Sequence, residues 1–237
     1  MISEKYFEKS ELAAAVLPAP DDLYLTKVAG VRCQQQILRR ASLLAATRRR
    51  IALMGHEKIT LRMVAADCDT TVQTVFNLVG NKHDVLSKAI SDHGDALNRA
   101  AKNMHDYPLE ILAFIDAMWL GAARSPDYMR QASFGYHSLE LEGDTTIRPA
   151  GVRFVRRALK GVESNLRDGL DCHSLADALN STIATAFFDW AMGRVDLPTL
   201  RKNVMTRASL TLLGALRTDE GDQLQNWLAD FLANRNI

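Results

Sequence analysis

The chain has 237 residues, of which 47% are apolar and 24% charged, and its net charge at pH 7 is +1. A chain of this length can bury a sizeable core, as one large domain or as a small domain joined to a larger one. Its apolar runs are far shorter than the ~18 residues of a membrane span. The opening MISEKYFEKS and the short run LAAAVL also differ from a secretory signal. We therefore expect a cytoplasmic protein.

The Cys and His residues give no pattern of a metal, redox or cofactor site. Cys33, Cys68 and Cys172 are far apart in the chain and have neither zinc nor redox spacing. The six histidines form no HxH or HxxxH pair. We expect three reduced thiols that are mostly buried, and no cofactor.

The charges are unevenly distributed along the chain. Residues 27–88 hold eleven Lys or Arg against four Asp or Glu, a net charge of +7, so the remainder carries −6. A basic segment attracts phosphate-rich partners, whereas an acidic one repels them. The segment 27–88 is therefore the first place to look for a nucleic-acid interface.

The first elements in chain order are helical. Residues 1–30 are expected to be an N-terminal extension, with one short helix around Tyr6–Val16 before the loop PAPDD. From Gln34 to Met54 apolar residues recur at spacings of three and four, which indicates an amphipathic helix. Gly55 follows directly, where a helix C-terminus favours a residue that accepts positive φ.

Two short helical segments with a tight break between them come next. Thr60 can cap the first and Thr71 the second, because a hydroxyl at this position accepts a hydrogen bond from the helix N-terminus. The break, DTT, is rich in residues that bond their own backbone. The residues expected to face inward are Leu61, Val64 and Ala65 in the first segment and Val72, Val75 and Phe76 in the second. This arrangement predicts a helix-turn-helix, whose second helix enters the major groove of DNA.

The stretch NLVGNKHD after these segments has two interpretations. It resembles the guanine-reading loop of a small GTPase, but the chain has neither a Gly-Lys pair for the GxxxxGK[ST] phosphate loop nor a DxxG sequence. The alternative is a helix end, a turn and a new helix capped by Asn81, with Asp84 at the third helical position. We adopt the second interpretation, and the apolar stripe predicts a long helix from Lys82 to Met104.

The remainder of the chain is expected to form a helical bundle. Candidate helices span residues 108–124, 126–140, 149–169, 173–193, 197–217 and 222–234. Proline stands at or near four of the starts, where a missing N–H costs little. The predicted fold class is all-α, with an N-terminal three-helix helix-turn-helix head at residues 31–80 and a larger helical bundle at residues 81–237.

A set of residues at fixed spacing runs through the head. They are Gly55, Ile59-Thr60, Val64-Ala65, Thr71, Thr74-Val75-Phe76, Asn81-Lys82 and Val85-Leu86. This set resembles the DNA-binding domain of the tetracycline-repressor (TetR) family over about residues 34–90. The chain departs from the family pattern in the turn, where Asp69-Thr70 stands in place of Gly-Val, and after the second short helix, where Val79 stands in place of an aromatic. The all-helical remainder agrees with the family in layout only.

The resemblance implies that the second short helix reads bases while residues around it contact phosphates. The residues expected to contact DNA are Lys58, Thr60, Arg62, Thr71, Gln73, Thr74, Phe76, Asn77 and Lys82. Gln and Asn can each pair with adenine, and a Thr methyl can pack on thymine. Phe76 stands where the family carries a phosphate-contacting Tyr, and we interpret it mainly as a packing residue. The run Arg48-Arg49-Arg50 is either a phosphate contact or a solvated helix face.

The larger domain is expected, by the same resemblance, to enclose a pocket for a small-molecule effector that is largely apolar. The candidate ligand-binding residues are Trp119, Phe134, Tyr136, His137, Asn180, Phe187 and Asp189. For any one of the large apolar side chains, an ordinary core position is the simpler interpretation.

Helices at about 174–193 and 197–216 are apolar on more than one face, which predicts a second packing partner. A two-fold homodimer, as in the TetR family, would supply it. The expected function is a ligand-responsive transcriptional regulator, most simply a repressor, on a near-palindromic operator in double-stranded DNA. The alternative is a small-molecule-binding or scaffold protein whose degenerate helix-turn-helix no longer binds DNA. We find no nucleophile elbow, metal motif or phosphate loop and do not expect an enzyme.

Overall fold

The structure, a computed structural model, describes residues 31–233, and the helix predicted around Tyr6–Val16 lies outside this range. The helices in this range are α1 (Val31–Met54), α2 (Leu61–Asp67), α3 (Val72–Leu78), α4 (Lys82–Ala101), α5 (Glu110–Arg124), α6 (Pro126–Leu141), α7 (Ile147–Ala158), α8 (Cys172–Ala191), α9 (Leu197–Ala215) and α10 (Thr218–Ala233). Between residues 31 and 233 the only β-type pairing is an isolated bridge from Leu166 to Leu216. The all-α prediction is confirmed. No helix within this range combines the length and apolar character needed to cross a membrane.

The short helices of the head begin where the sequence predicts. The Thr60 hydroxyl accepts a hydrogen bond from the Met63 amide, and the Thr71 hydroxyl accepts one from the Thr74 amide. At α4, the Asn81 side chain and Asp84 form a reciprocal capping box. Each cap satisfies amide groups that the helix itself leaves unpaired, and so fixes the residue at which the helix starts.

The tight turn between α2 and α3 contains one residue in the left-handed conformation. Asp69 has φ +45 and is the only non-glycine residue with positive φ in the described part of the chain. The Thr70 amide closes the turn on the Ala65 carbonyl at 3.0 Å. Val79, the other departure from the family pattern, is 4% exposed and belongs to the core. Both departures from the family pattern are therefore accommodated in a well-formed motif, at a cost of about 1 kcal/mol for Asp in this conformation.

Helix α1 belongs to the head and to the bundle at the same time. It packs on α2 and α3, and it also packs on α4 and α6. The buried apolar residues accordingly form one cluster that extends from Leu43 in α1 to Leu224 in α10. The bundle closes through contacts of α4 with α5 and α7 and of α8 with α9, while α10 packs on α9.

Two predicted helices are too long. Helix α4 ends at Ala101 instead of Met104, because the last amides bond three residues back, as in Met104 to Ala101 at 3.0 Å. The predicted helix 149–169 is wrong: α7 spans Ile147–Ala158, and a single 3₁₀ turn follows at Glu163–Asn165. Gly161, with φ +97, breaks the helix, and the chain then bonds to the end of α9 through the Arg167 amide and the Ala215 carbonyl.

Candidate nucleic-acid interface and ligand cavity

One face of α3 is open to solvent and carries most of the predicted base-reading residues. Thr71, Gln73 and Asn77 are exposed, and Thr74 is partly buried. The Gln73 Nε2 donates to the Asn77 Oδ1 at 2.9 Å, and the Thr71 and Thr74 hydroxyls lie 2.9 Å apart. These hydrogen bonds hold four polar side chains in two ordered pairs on one surface.

The prediction that Val72 and Phe76 anchor α3 is wrong. Their side chains are 41% and 54% exposed, whereas Val75 is fully buried and Val79 nearly so. A seven-residue helix touches the core along one line, and Phe76 is turned by ~100° from Val75. The apolar Val72 and Phe76 therefore share the solvent side of α3 with its polar residues.

The predicted phosphate-contacting residues lie on the elements that flank α3 in the chain. Lys58 and Thr60 precede α2, Arg62 lies on α2, and Lys82 is the first residue of α4. All four are exposed. The Lys82 Nζ donates to the Glu57 carbonyl at 2.7 Å, which holds this cation against the loop before α2.

The Arg48-Arg49-Arg50 run is mostly structural. The Arg48 Nη1 donates to the Asp92 Oδ2 at 2.7 Å and to the Ala89 carbonyl at 3.3 Å, and its side chain is 4% exposed. Arg50 makes two hydrogen bonds to the Asp67 carboxylate, which lower the pKa of Asp67. Of the three, Arg49 is the exposed one. The carboxylate partners are distant in the chain, so the run alone could not reveal these pairs.

A cavity of about 120 Å³ lies among helices α4 to α8. Of the predicted ligand-binding residues, Tyr136, His137, Asn180 and Phe187 line it. Within the described part of the chain, none of the side chains lining this cavity is Asp, Glu, Lys or Arg. The site is therefore apolar, with a few neutral polar groups, as is common for small-molecule pockets.

The polar groups of the cavity are oriented by hydrogen bonds. The Asn180 Nδ2 donates to the Tyr136 hydroxyl at 3.0 Å, and the His137 Nε2 lies 3.3 Å from the Ala184 carbonyl. Burial raises the pKa of Tyr136, so its hydroxyl is protonated at neutral pH and can donate. Helix α7 approaches this pair through Gly151, where a Cβ atom would lie 2.3 Å from the Asn180 Oδ1.

Three predicted ligand-binding residues lie outside this cavity. The Trp119 Nε1 donates to the Leu197 carbonyl at 2.9 Å, and Phe134 packs edge-on against Phe188 at 5.9 Å. Asp189 forms an ion pair with Arg194 at 2.7 Å. Each of these three side chains contacts another part of the chain and not the cavity. Size and polarity in the sequence could not separate cavity-lining residues from such contacts.

Among the cavity residues that were not predicted are His93, Tyr128 and Phe154. The His93 and Tyr128 rings meet edge-on at 4.9 Å. Tyr128 also lines a surface groove formed by α1, α3 and the start of α6. Its buried hydroxyl has no hydrogen-bond partner among the described residues. Burial raises the pKa of Tyr128, while the charge of Arg48 lowers it and that of Asp92 raises it. Tyr128 thus lines the cavity and also senses the charges of the Arg48–Asp92 ion pair.

A second contact between head and bundle is made by the loop after α1. A Cβ atom added at Gly135 of α6 would lie 3.4 Å from the His56 ring, so glycine leaves room for this buried histidine. Burial lowers the pKa of His56, although Glu57 and Glu142 raise it in part and Lys82 lowers it further. His56 is therefore held against α6 in its neutral form.

The His56 contact predicts a pH dependence of folding between about pH 5 and 7. The unfolded chain protonates His56 near pH 6.5, whereas the folded protein resists protonation. The free energy of unfolding is therefore not reduced by His56 above about pH 6.5. It falls as the pH drops below that value, by at most about 1.4 kcal/mol per pH unit. Urea unfolding across this range measures the slope, which we expect His56→Gln to reduce.

The exposed His105 provides the matched control for this measurement. His105→Gln is expected to leave the pH slope unchanged. An equal slope in His56→Gln and the unsubstituted protein would contradict the assignment.

Of the apolar faces predicted for α8 and α9, one stripe on each helix lies inside the subunit. The buried members are Leu175, Leu179, Ile183 and Phe187 on α8 and Leu200, Val204, Ala208, Leu212 and Ala215 on α9. They supply the core because α8 and α9 also pack on each other and on α5, α6 and α7. The outward faces instead present the small residues Ala178, Thr185 and Gly214 together with Leu210, and α9 also exposes Lys202 and Arg207. Leu210 is 58% exposed.

Solved structures of TetR-family regulators share this fold. Thermus thermophilus FadR, a TetR-family repressor in complex with lauroyl-CoA, superposes with a TM-score of 0.57 at 18% identity, over 76% of this chain and 96% of that one. A putative TetR-family regulator from Rhodococcus sp. gives 0.56 at 14% identity, over 73% and 98%. SmeT, the repressor of the Stenotrophomonas maltophilia efflux pump SmeDEF, gives 0.51 at 17% identity, over 76% and 92%. No protein-family model and no curated protein matches the sequence.

Proposed function

We propose that this chain is a transcriptional regulator of the TetR type, which binds a near-palindromic operator as a homodimer and releases it when a small molecule binds. The observation that carries the proposal is the solvent-exposed, hydrogen-bonded polar face of α3 within a segment of net charge +7. Such a face is suited to base edges in a major groove, and the surrounding cations to phosphates. The protein acts by binding and not as an enzyme.

The outward faces of α8 and α9 are the proposed dimer interface. Ala178 and Thr185 on α8 and Gly214 on α9 have small side chains or none, so helices of a second copy can approach closely, and Leu210 offers apolar area. A two-fold axis there would place two α3 helices in successive major grooves roughly 34 Å apart. Residues 31–80 form the DNA-binding unit of this assembly and residues 81–237 the ligand-binding and dimerisation unit.

The proposed effector is a neutral, compact and largely apolar molecule. The cavity holds about 120 Å³, a little less than the ~150 Å³ cavity that holds benzene in an engineered protein. A charged ligand would lose its hydration against a lining without countercharges. Tyr136 can donate to an acceptor on the ligand. The effector weakens operator binding only to the extent that it prefers one spacing of the two heads, and α4, which joins head to cavity, transmits the change.

Gel-shift titration with the DNA upstream of the chain's own gene tests operator binding. If about six cations of the dimer contact phosphates, log K should fall with log salt at a slope near −5. Lys82→Ala should reduce the magnitude of this slope by about 2 for the dimer, one contact per subunit. Lys160→Ala, an exposed lysine after α7, should leave it unchanged.

Two results would contradict the proposal. The first is binding that does not respond to salt. The second is affinity for upstream DNA no greater than for generic duplex, which would identify the protein as a small-molecule-binding or scaffold protein with a relic motif.

A further inference from the structure

Helix α3 carries no basic side chain. Its residues are Val72, Gln73, Thr74, Val75, Phe76, Asn77 and Leu78, with Thr71 as the cap. Guanine is recognised in the major groove chiefly by Arg or Lys, which donate to its O6 and N7 acceptors. The exposed cations of the motif, such as Arg62 and Lys82, lie on α2 and α4 instead. The surface that faces the bases therefore lacks the usual guanine-reading groups.

The polar pair on α3 keeps a free carbonyl and a free NH₂ group for contact with a base. In the Gln73–Asn77 pair, the amide that donates keeps a free carbonyl, and the amide that accepts keeps a free NH₂ group. This outcome is the same whichever of the two donates. Adenine presents an N7 acceptor beside an N6 donor, which matches such a pair. Guanine presents two acceptors, which would leave the amide carbonyl facing another acceptor and unpaired.

The apolar groups on the same face match thymine. Val72 and Phe76 are 41% and 54% exposed. In the major groove, the C5-methyl of thymine is the apolar group that distinguishes its base pair from the others. An exposed Phe on the base-reading face has no comparable contact with a G·C pair.

From these two observations we infer that the base pairs facing α3 in each operator half-site are A·T, with adenine bound by the Gln73–Asn77 pair and a thymine methyl packed on Phe76. The inference rests on the proposed function and adds the chemistry of the partner. The phosphate contacts from α2 and α4 supply affinity for any duplex, while α3 supplies the preference among sequences.

Selection from a random duplex library with the full chain, followed by sequencing of the bound pool, tests the inference. We expect enrichment of A·T at roughly three to four adjacent positions in each half-site, the reach of one recognition helix. Enriched half-sites with G·C at those positions would overturn the inference and leave the proposed function standing. A pool without any enriched sequence would overturn both.

Variants of the exposed residues sharpen the test without disturbing the core. Gln73→Ala should reduce discrimination between A·T and G·C at its position by roughly 5- to 150-fold, and Gln73→Arg should move the preference towards G·C. Lys82→Ala is the matched control, since loss of a phosphate contact should weaken all sequences equally. Unchanged base preference in Gln73→Ala and Gln73→Arg would overturn the assignment of Gln73.

The thymine contact has its own measurement. Replacing thymine by deoxyuridine at the enriched positions removes only the methyl group. Affinity should fall for the unsubstituted protein and should not fall further for Phe76→Ala, because the two changes remove the same contact. Equal losses in both proteins would overturn the placement of Phe76.

Discussion

Asp116→Ala is expected to lower the free energy of unfolding by about 3–5 kcal/mol, because it leaves the Arg201 guanidinium buried without its countercharge. The two residues are 2% and 8% exposed. The Arg201 Nε donates to the Asp116 Oδ1 at 2.6 Å, and the Nη2 donates to the Oδ2 at 3.1 Å. This bidentate geometry compensates the charges only while both partners are present.

The loss should extend to α10. The Tyr107 hydroxyl donates to Asp116, and its ring lies 5.9 Å from that of Trp227. The Arg201 guanidinium also lies over the Trp119 ring at 4.8 Å and over the Phe231 ring at 5.6 Å. Asp116 therefore lies beneath the contacts that hold α10 against α9. Amide hydrogen exchange in α10 should accelerate together with the drop in global stability.

Asp189→Ala is the control for the Asp116 measurement. Asp189 also pairs with an arginine, Arg194, at 2.7 Å, but that arginine side chain is 60% exposed. An exposed pair contributes only about 0–1 kcal/mol. The double variant Asp116→Leu with Arg201→Met should recover much of the loss, because it removes both buried charges. Equal destabilisation by Asp116→Ala and Asp189→Ala would show that burial does not govern the Asp116–Arg201 pair.

Asp92→Ala is expected to destabilise the protein by about 3 kcal/mol and to loosen the head from the bundle, because loss of the carboxylate leaves a buried cation. Arg48 on α1 is 4% exposed and reaches Asp92 on α4 at 2.7 Å. The charges of both residues affect the pKa of Tyr128, which lines the cavity. Urea unfolding measures the stability, and gel shift below the unfolding transition measures any change in affinity for the proposed operator.

Asp95→Ala provides a comparison on the same helix. Asp95 lies nearly one turn beyond Asp92 and pairs with Arg157, whose side chain is 60% exposed. Its removal should cost less than about 1 kcal/mol and leave operator affinity unchanged. If Asp92→Ala behaved like Asp95→Ala, the Arg48–Asp92 pair would not join the head to the bundle.

The sequence predicted the features that depend on local chemistry. The caps at Thr60, Thr71 and Asn81 are short-range hydrogen bonds, and the all-α class follows from apolar spacing. Short-range sequence patterns also predicted the two short helices of the head and the turn that contains Asp69. These predictions needed no knowledge of which helices meet in space.

Features that depend on long-range packing were not predictable. In the sequence, nothing separates Arg48 from Arg49 and Arg50. Its partner Asp92 is 44 residues away in the chain and meets it only because α4 packs on α1. The apolar stripes of α8 and α9 did not indicate which face packs inward. The cavity forms where five helices meet, and in it His93 of α4 packs against Tyr128 of α6. Phe76 illustrates the same limit within α3, because a short helix with apolar residues on two sides can bury only one.

Because α1 packs on both the head and the bundle, it restricts where this chain can be cut to build a chimera. A chimera cut at Gly80 would attach the head to a foreign bundle and leave Arg48 without Asp92 and the Ala89 carbonyl. It would also remove α6, where Gly135 leaves room for the His56 ring. A transplant that retains α4 and α6 together with the head brings these partners along, and so should keep the graft folded.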